Sequence, residues 1–291
     1  MRHGQEHDRV PTYEGRPLAR PEEEVVDQGL GFDVTTLLSR RQTLRVLGLG
    51  AAALGLAACE LGSTPSGGGT PSSASPAARA GAIPEETGGP FPADGSNGPD
   101  VLEQSGIVRS DIRSSLGGAG ATADGVPMTL ELVVTDATNG GAPLTGAAVY
   151  VWHCDHEGRY SLYSPGAEDR DYLRGVQVAD ADGRVRFTSI FPACYPGRWP
   201  HVHFEVYADR GSIAGTSNVI ATSQLALPAD VCERVYVQNG YEASVTALSE
   251  VSLDSDIVFA DDGAARQLAT VTGDVSRGYV VTLAVPVDAG T

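Results

Sequence analysis

Residues 194–206 read CYPGRWPHVHFEV, and the second half of that stretch alternates. Val202, Phe204 and Val206 are apolar at every other position, and His201, His203 and Glu205 fill the positions between. A period of two is that of a β-strand, so the valines and the phenylalanine face a core and the two imidazoles point the other way. Imidazoles at i and i+2 on one strand can reach a single metal ion, although two half-exposed strand histidines would give the same pattern. The alternation recurs along the chain. Leu130, Leu132 and Val134 share a face in MTLELVVTD (128–136), and Val185, Phe187 and Ser189 oppose Arg184 and Arg186 in GRVRFTSIF (183–191). AAVYVWH (147–153), NVIATSQLAL (218–227) and GYVVTLAVPV (278–287) read as further strands, separated by turn signals such as TNGG, ADGR and DDG. No long segment carries a helical period, and no heptad, internal repeat or nucleotide-binding glycine motif occurs. The expected fold is all-β, a β-sandwich with long functional loops, in a single domain over 83–291.

The chain has 291 residues, 41% of them hydrophobic, enough for one large β domain with a real core. Its formal charge of -17 would repel a phosphate backbone, so no nucleic-acid partner is expected. No lysine occurs.

The first 58 residues read as an export signal rather than as fold. Arg40 and Arg41 in SRRQTLR (39–45) precede the apolar run VLGLGAAALGLAA, which is short for a membrane span. The twin arginines suggest the twin-arginine route, which carries folded proteins. LAAC (56–59) is similar to a bacterial lipobox, so Cys59 is the expected lipidated residue, and a lipid there would be the chain's membrane contact. Residues 59–82, rich in Gly, Ser, Pro, Thr and Ala, read as a flexible tether. These readings place the domain outside the cytoplasm. Beyond Cys59 stand Cys154, Cys194 and Cys232, an odd number; Cys194 with Cys232 is the preferred disulfide.

Around the H-x-H pair, other residues point to chemistry. Pro196-Gly197 makes a turn that can fold the Tyr195 phenol back toward the strand, and Arg198 stands three residues before His201, where a bound anion would use it. His153 and His156 flank Asp155; the expectation for both is a surface position rather than the pocket. Trp152 and Trp199 read as core or pocket wall. GAEDRD and ADDG read as solvated loops.

Three separated stretches, WHCDHEGRY (152–160), GRVRFTSIFPACYPGRWPHVHFEVY (183–207) and TSQL (222–225), resemble the intradiol ring-cleavage dioxygenases, the protocatechuate 3,4-dioxygenase and catechol 1,2-dioxygenase type, and are most similar to an exported branch of them. ETGGPFPADG (86–95) resembles that family's N-terminal segment. The resemblance implies a non-haem Fe(III) held by Tyr160, Tyr195, His201 and His203, with Tyr195 and His203 axial. It implies that Arg198 steadies an anionic substrate and that Gln224 stands behind the ligands. The implied reaction opens a catechol between its hydroxyl-bearing carbons with O₂ to give a muconate-type diacid, Tyr195 taking one substrate proton. The segment between Tyr195 and His201 is shorter than is usual in the soluble enzymes, and their helical dimerisation domain is absent. Two other functions compete. A β-sandwich can bind a ligand without chemistry, which would need neither Tyr160 nor Tyr195. The H-x-H pair could instead hold copper or zinc, indifferent to Tyr160.

Overall fold

The computed structural model describes residues 12–13, 16–17, 81–116 and 122–290. The chain divides into two units, Met1–Ala78 and Arg79–Thr291. In the first, Thr12–Tyr13 (β1) pairs antiparallel with Arg16–Pro17 (β2). The rest of the expected export signal, with Cys59 and most of the tether, lies outside the described residues.

In the second unit the chain runs through β3 (Pro127–Asp136), β4 (Ala142–Pro143), β5 (Ala148–Trp152), β6 (Arg174–Val178), β7 (Arg184–Ile190), β8 (His201–Tyr207) and β9 (Val219–Ala226). Two eight-residue helices follow, α1 (Ala229–Tyr236) and α2 (Glu242–Ser249), and then β10 (Thr270–Asp274) and β11 (Gly278–Val287). One sheet is ordered β10–β11–β3, and β3 pairs in addition with β7 along residues 127–133 and with β4 at Thr135 and Asp136. The other is ordered β6–β5–β8–β9, antiparallel throughout. The expected all-β sandwich is present.

The alternation sets the core. Leu130, Leu132 and Val134 of β3, Val185 and Phe187 of β7, and Val281, Leu283 and Val285 of β11 share one buried cluster with Val149 and Val151 of β5 and Val202, Phe204 and Val206 of β8. Each such side chain contributes about 1.5–3 kcal/mol by leaving water. Ser189, with Val185 and Phe187, is buried, and Arg184 is exposed, as the pattern requires.

The opposite face of the second sheet is buried as well. Tyr150 and Trp152 of β5 and Tyr207 of β8 form a second cluster with Ala93, Val101, Leu102, Ile107 and Tyr160. The covering comes from residues 85–109, which run from one edge of the sheet to the other. Glu86 N–H donates to Thr222 O of β9 at 2.7 Å, and Val176 N–H of β6 donates to Ile107 O at 2.8 Å. On the core side of β6, Gly175 leaves room for Ile112, since a Cβ there would stand 2.5 Å from Ile112 Cγ2. The histidine face of β8 is therefore a buried layer under a strap, not a solvated surface.

The helices, β6 and β10 add to the strands expected. The helix α1 buries Val231, Cys232, Val235 and Tyr236. Two i,i+4 pairs in eight residues make a stripe too short to be read as a period beforehand. The expected Cys194–Cys232 bridge is not formed. The three cysteines among the described residues are buried free thiols, with Cys194 Sγ 3.5 Å from Arg198 O and Cys154 Sγ 3.7 Å from Ala193 O.

Candidate metal centre

The strand β8 carries His201 and His203 onto the covered face, where they are 2% exposed each. Their Nε2 atoms stand 3.1 Å apart. Tyr195 reaches them through a turn closed by Arg198 N–H donating to Tyr195 O at 3.2 Å, with Gly197 at φ +83° in the third position. Tyr160 reaches them from the loop after β5. Asp155, buried, organises that loop: its Oδ1 accepts the Glu157 and Arg159 N–H groups and its Oδ2 accepts Arg159 Nε and Tyr172 Oη, all at 2.9 Å.

Four donor atoms converge as a result. Tyr160 Oη lies 3.4 Å from Tyr195 Oη and 3.2 Å from His201 Nε2, and Tyr195 Oη lies 3.2 Å from His201 Nε2. Donors held about 2.0–2.2 Å from one ion sit roughly 3–3.5 Å from one another, which is the spacing here. The tautomer of His201 suits the role. Its Nδ1–H donates to Trp199 O at 2.6 Å, leaving the Nε2 lone pair toward the cluster. His203 is stacked on Trp152, ring centroids 4.9 Å apart at 6°, and its buried Nδ1 has no hydrogen-bond partner. Gly89 of the strap, at φ +71°, abuts the same imidazole; a Cβ there would stand 3.2 Å from His203 Cε1.

Burial pushes the His201 pKa down to about 3, with Arg198 adding to the effect, and holds His203 well below 6.5, so both rings are neutral at pH 7. Burial also raises both phenols, Tyr195 to about 12 against the opposing pull of Arg198, and Tyr160 far above 10. Without a cation the tyrosines keep their protons; a hard, highly charged ion is what would ionise them. Among the described residues no group of three or more His, Cys, Asp or Glu side chains is placed to hold a metal, so an ion here depends on the phenols.

Arg198 is fixed beside the cluster. Its Nε donates to Asp256 Oδ2 at 3.0 Å, one Nη donates to Gln224 Oε1 at 2.7 Å, and the other lies 3.5 Å from His201 Nε2. Burial opposes its charge, but the Asp256 carboxylate prevails and its pKa stays above the ordinary value. Gln224, across the β8–β9 ladder from His203, donates its amide to Thr87 O at 2.8 Å. The structure thus brings together Tyr160, Tyr195, His201, His203, Arg198 and Gln224. His153 is neither pocket lining nor surface. It is 1% exposed, and both ring nitrogens are engaged, by Cys154 O and Ser189 Oγ at 2.7 Å each. His156 is half-buried against Tyr241, with ring centroids 5.8 Å apart. An open depression of about 430 Å³ lined by Gly125, Pro127, Val237 and Asn239 shares no residue with the cluster. Asp256 and Asp155 were not anticipated. Each is an acid on a loop, unlike a solvated one only through partners distant in sequence or through backbone N–H groups.

Three buried histidines with depressed pKa values give the metal-free domain an acid limit. The unfolded chain binds protons near pH 6.5 that the folded one refuses, so their contribution is present above that pH and is lost as pH falls toward 3. Each contributes a slope of up to about 1.4 kcal/mol per pH unit. The melting temperature of metal-free protein is expected to fall steadily below pH 6.5; a flat profile down to pH 4 would contradict the buried, neutral rings.

A dioxygenase family model, Dioxygenase_C, matches residues 97–211, which include the four donors and Arg198. Chlorocatechol 1,2-dioxygenase of Rhodococcus opacus is 46% identical over 55 residues, 19% of this chain and 21% of that protein. Protocatechuate 3,4-dioxygenase beta chain of Burkholderia cepacia is 33% identical over 102 residues, 31% of this chain and 43% of that protein. Residues 97–211 are thus similar to the dioxygenase domain of the intradiol ring-cleavage enzymes. The match spans less than half the length of these curated relatives. The intradiol fold is shared with the solved intradiol ring-cleavage dioxygenase from Tetranychus urticae, at TM-score 0.57 and 22% identity over 72% of this chain and 96% of that one. Gln224 and Asp256 fall beyond the residues matched by the family model.

Proposed function

We propose that this chain is a non-haem Fe(III)-dependent intradiol dioxygenase that opens a catechol between its two hydroxyl-bearing carbons, exported and tethered to the membrane surface through a lipid on Cys59. The observation that carries the reading is the convergence of two phenol oxygens and two imidazole nitrogens within 3.1–3.4 Å. A zinc or copper site built on the H-x-H pair alone would not need the two phenols. Hard anionic oxygens beside neutral imidazoles suit a ferric ion, which Tyr160, Tyr195, His201 and His203 would hold. Such an ion would supply the Lewis-acid, electron-accepting centre that activates the ring toward O₂. Both oxygen atoms enter the diacid as the carbon–carbon bond breaks, so no external reductant is required.

The residues divide the remaining work. Tyr195 is half-buried, next to exposed Pro196 and Gly197, whereas Tyr160 is 1% exposed. Tyr195 is thus the donor that substrate can reach. Its phenolate, whose conjugate phenol has a pKa raised to about 12, is a strong enough base to take a catechol proton at Oη. Arg198, held by Asp256 and Gln224, steadies the negative charge that develops on the substrate oxygens.

The first test is spectroscopic. Protein grown in iron-replete medium should show a tyrosinate-to-iron charge-transfer band that moves to longer wavelength when catechol is added without oxygen. A colourless, iron-free protein would favour a ligand-binding module. Tyr195→Phe is expected to keep the fold and to lower kcat/KM for catechol by about 100-fold, since the ring remains and the proton acceptor is gone. The change should appear in the rate of catechol binding in stopped-flow traces; an unchanged rate would remove Tyr195 from that role.

A further inference from the structure

Arg198 is the cation beside the donor cluster, and its charge is already matched. Asp256, fully buried, accepts Arg198 Nε at 3.0 Å. The same carboxylate accepts three backbone N–H groups, from Trp199 at 2.6 Å, Val258 at 2.8 Å and Phe259 at 3.1 Å. With four donors on two oxygens it cannot turn aside to release the guanidinium when another anion arrives. The neighbouring cations are engaged too. Arg159 is paired with Asp155 at 2.9 Å and with Glu157. Arg174, 1% exposed, directs its donors to the carbonyls of Phe91, Pro92 and Ser161 and to the Ser161 and Tyr150 hydroxyls. On the histidine face of β8 the next ionisable group is an acid, Glu205, which accepts Tyr207 Oη at 2.7 Å. Over the whole chain the formal charge is -17.

A carboxylate carried on the catechol ring would therefore enter a place where Arg198 is already paired with Asp256 and buried Arg174, though it has no carboxylate partner, spends its donors on neutral groups of the strap, and would lose its hydration for no ion pair in return. An uncharged catechol meets no such penalty. We infer that Asp256, by neutralising Arg198, makes this site selective for uncharged catechols over ring-carboxylated ones. The inference rests on the function proposed above and narrows its substrate class. Asp256 touches no reacting atom on this account; it sets specificity through Arg198.

The test is a ratio. Iron-loaded wild type and Asp256→Asn are assayed for kcat/KM on catechol and on 3,4-dihydroxybenzoate at one fixed salt concentration. Wild type is expected to favour catechol by at least about tenfold, and Asp256→Asn to lower that preference by about tenfold, because Arg198 regains a net positive charge. Plain structural damage would lower both values together and leave the ratio where it was, which would overturn the inference. If Asp256→Asn does not fold, the wild-type ratio decides: comparable use of the two compounds, or preference for the acid, overturns it. Turnover of neither compound by the iron-loaded wild type overturns the proposed function, and this inference with it; turnover without the preference overturns the inference alone.

Discussion

Tyr160→Phe is expected to give a folded protein that has lost its iron, with affinity down by more than about 100-fold and catechol turnover gone with it. The substitution removes one oxygen and little else. The ring stays packed against Phe91, 4.7 Å between centroids, in a position 1% exposed. What goes is one of the two phenols that, on the proposed reading, would ionise around a tripositive ion. Outer partners of metal ligands already cost 10–100-fold in affinity when removed, and a ligand should cost more. Because the phenol is protonated in the absence of metal, iron binding must expel its proton, so loading of the wild type should weaken as pH falls. Metal analysis of protein purified in parallel, with far-ultraviolet circular dichroism to show the fold intact, decides the matter. Full iron occupancy in the variant would sink the ligand assignment.

Arg174→Met should be the most destabilising single change near the site, by about 4 kcal/mol or more. The guanidinium is buried and has no carboxylate partner among its hydrogen bonds; it ties the strap at Phe91 and Pro92 to Ser161 and to the Tyr150 hydroxyl. A methionine fills the space but leaves the Phe91 and Ser161 carbonyls without that donor, at about 1–3 kcal/mol each, while Pro92 O keeps the Tyr150 hydroxyl. For a domain of this size the melting temperature should drop by about 10 °C. Arg174→Lys should recover only part of the loss, because an ammonium cannot span the same fork of acceptors. The strap also carries Gly89 against His203, so iron retention should weaken in both variants. A melting temperature unchanged in Arg174→Met would show that the strap is held by other contacts.

The sandwich was legible where side chains alternate strongly. The strands β8 and β11 span 201–207 and 278–287, the very segments read as strands in the sequence, and the core faces of β3, β7 and β8 are those the alternation names. The donor residues were legible through short motifs and a family resemblance. What was not legible is what depends on distant partners. Asp256 sits among Asp254, Asp261 and Asp262 and reads as one more solvated acid; its difference is an Arg 58 residues away and a ring of N–H groups. Arg174 looks like an ordinary strand arginine until the strap is folded over it. His153 was misread because a buried imidazole needs two acceptors or donors in reach, and one of them, Ser189, comes from β7. The strap itself has no periodicity, since it follows sheet edges rather than forming an element of its own.

The first sheet has a consequence for how the protein is made. The strand β11 lies between β10 and β3 and runs parallel to β3 from Tyr279 opposite Met128 to Val287 opposite Asp136. The middle of the sheet is therefore filled by a segment that leaves the ribosome long after β3 has emerged, and after β4 to β10 as well. Until then β3 offers neighbouring chains a bare, half-apolar edge. A message cut short before codon 278 would yield a product that cannot close its core, prone to clump rather than to work as a smaller domain.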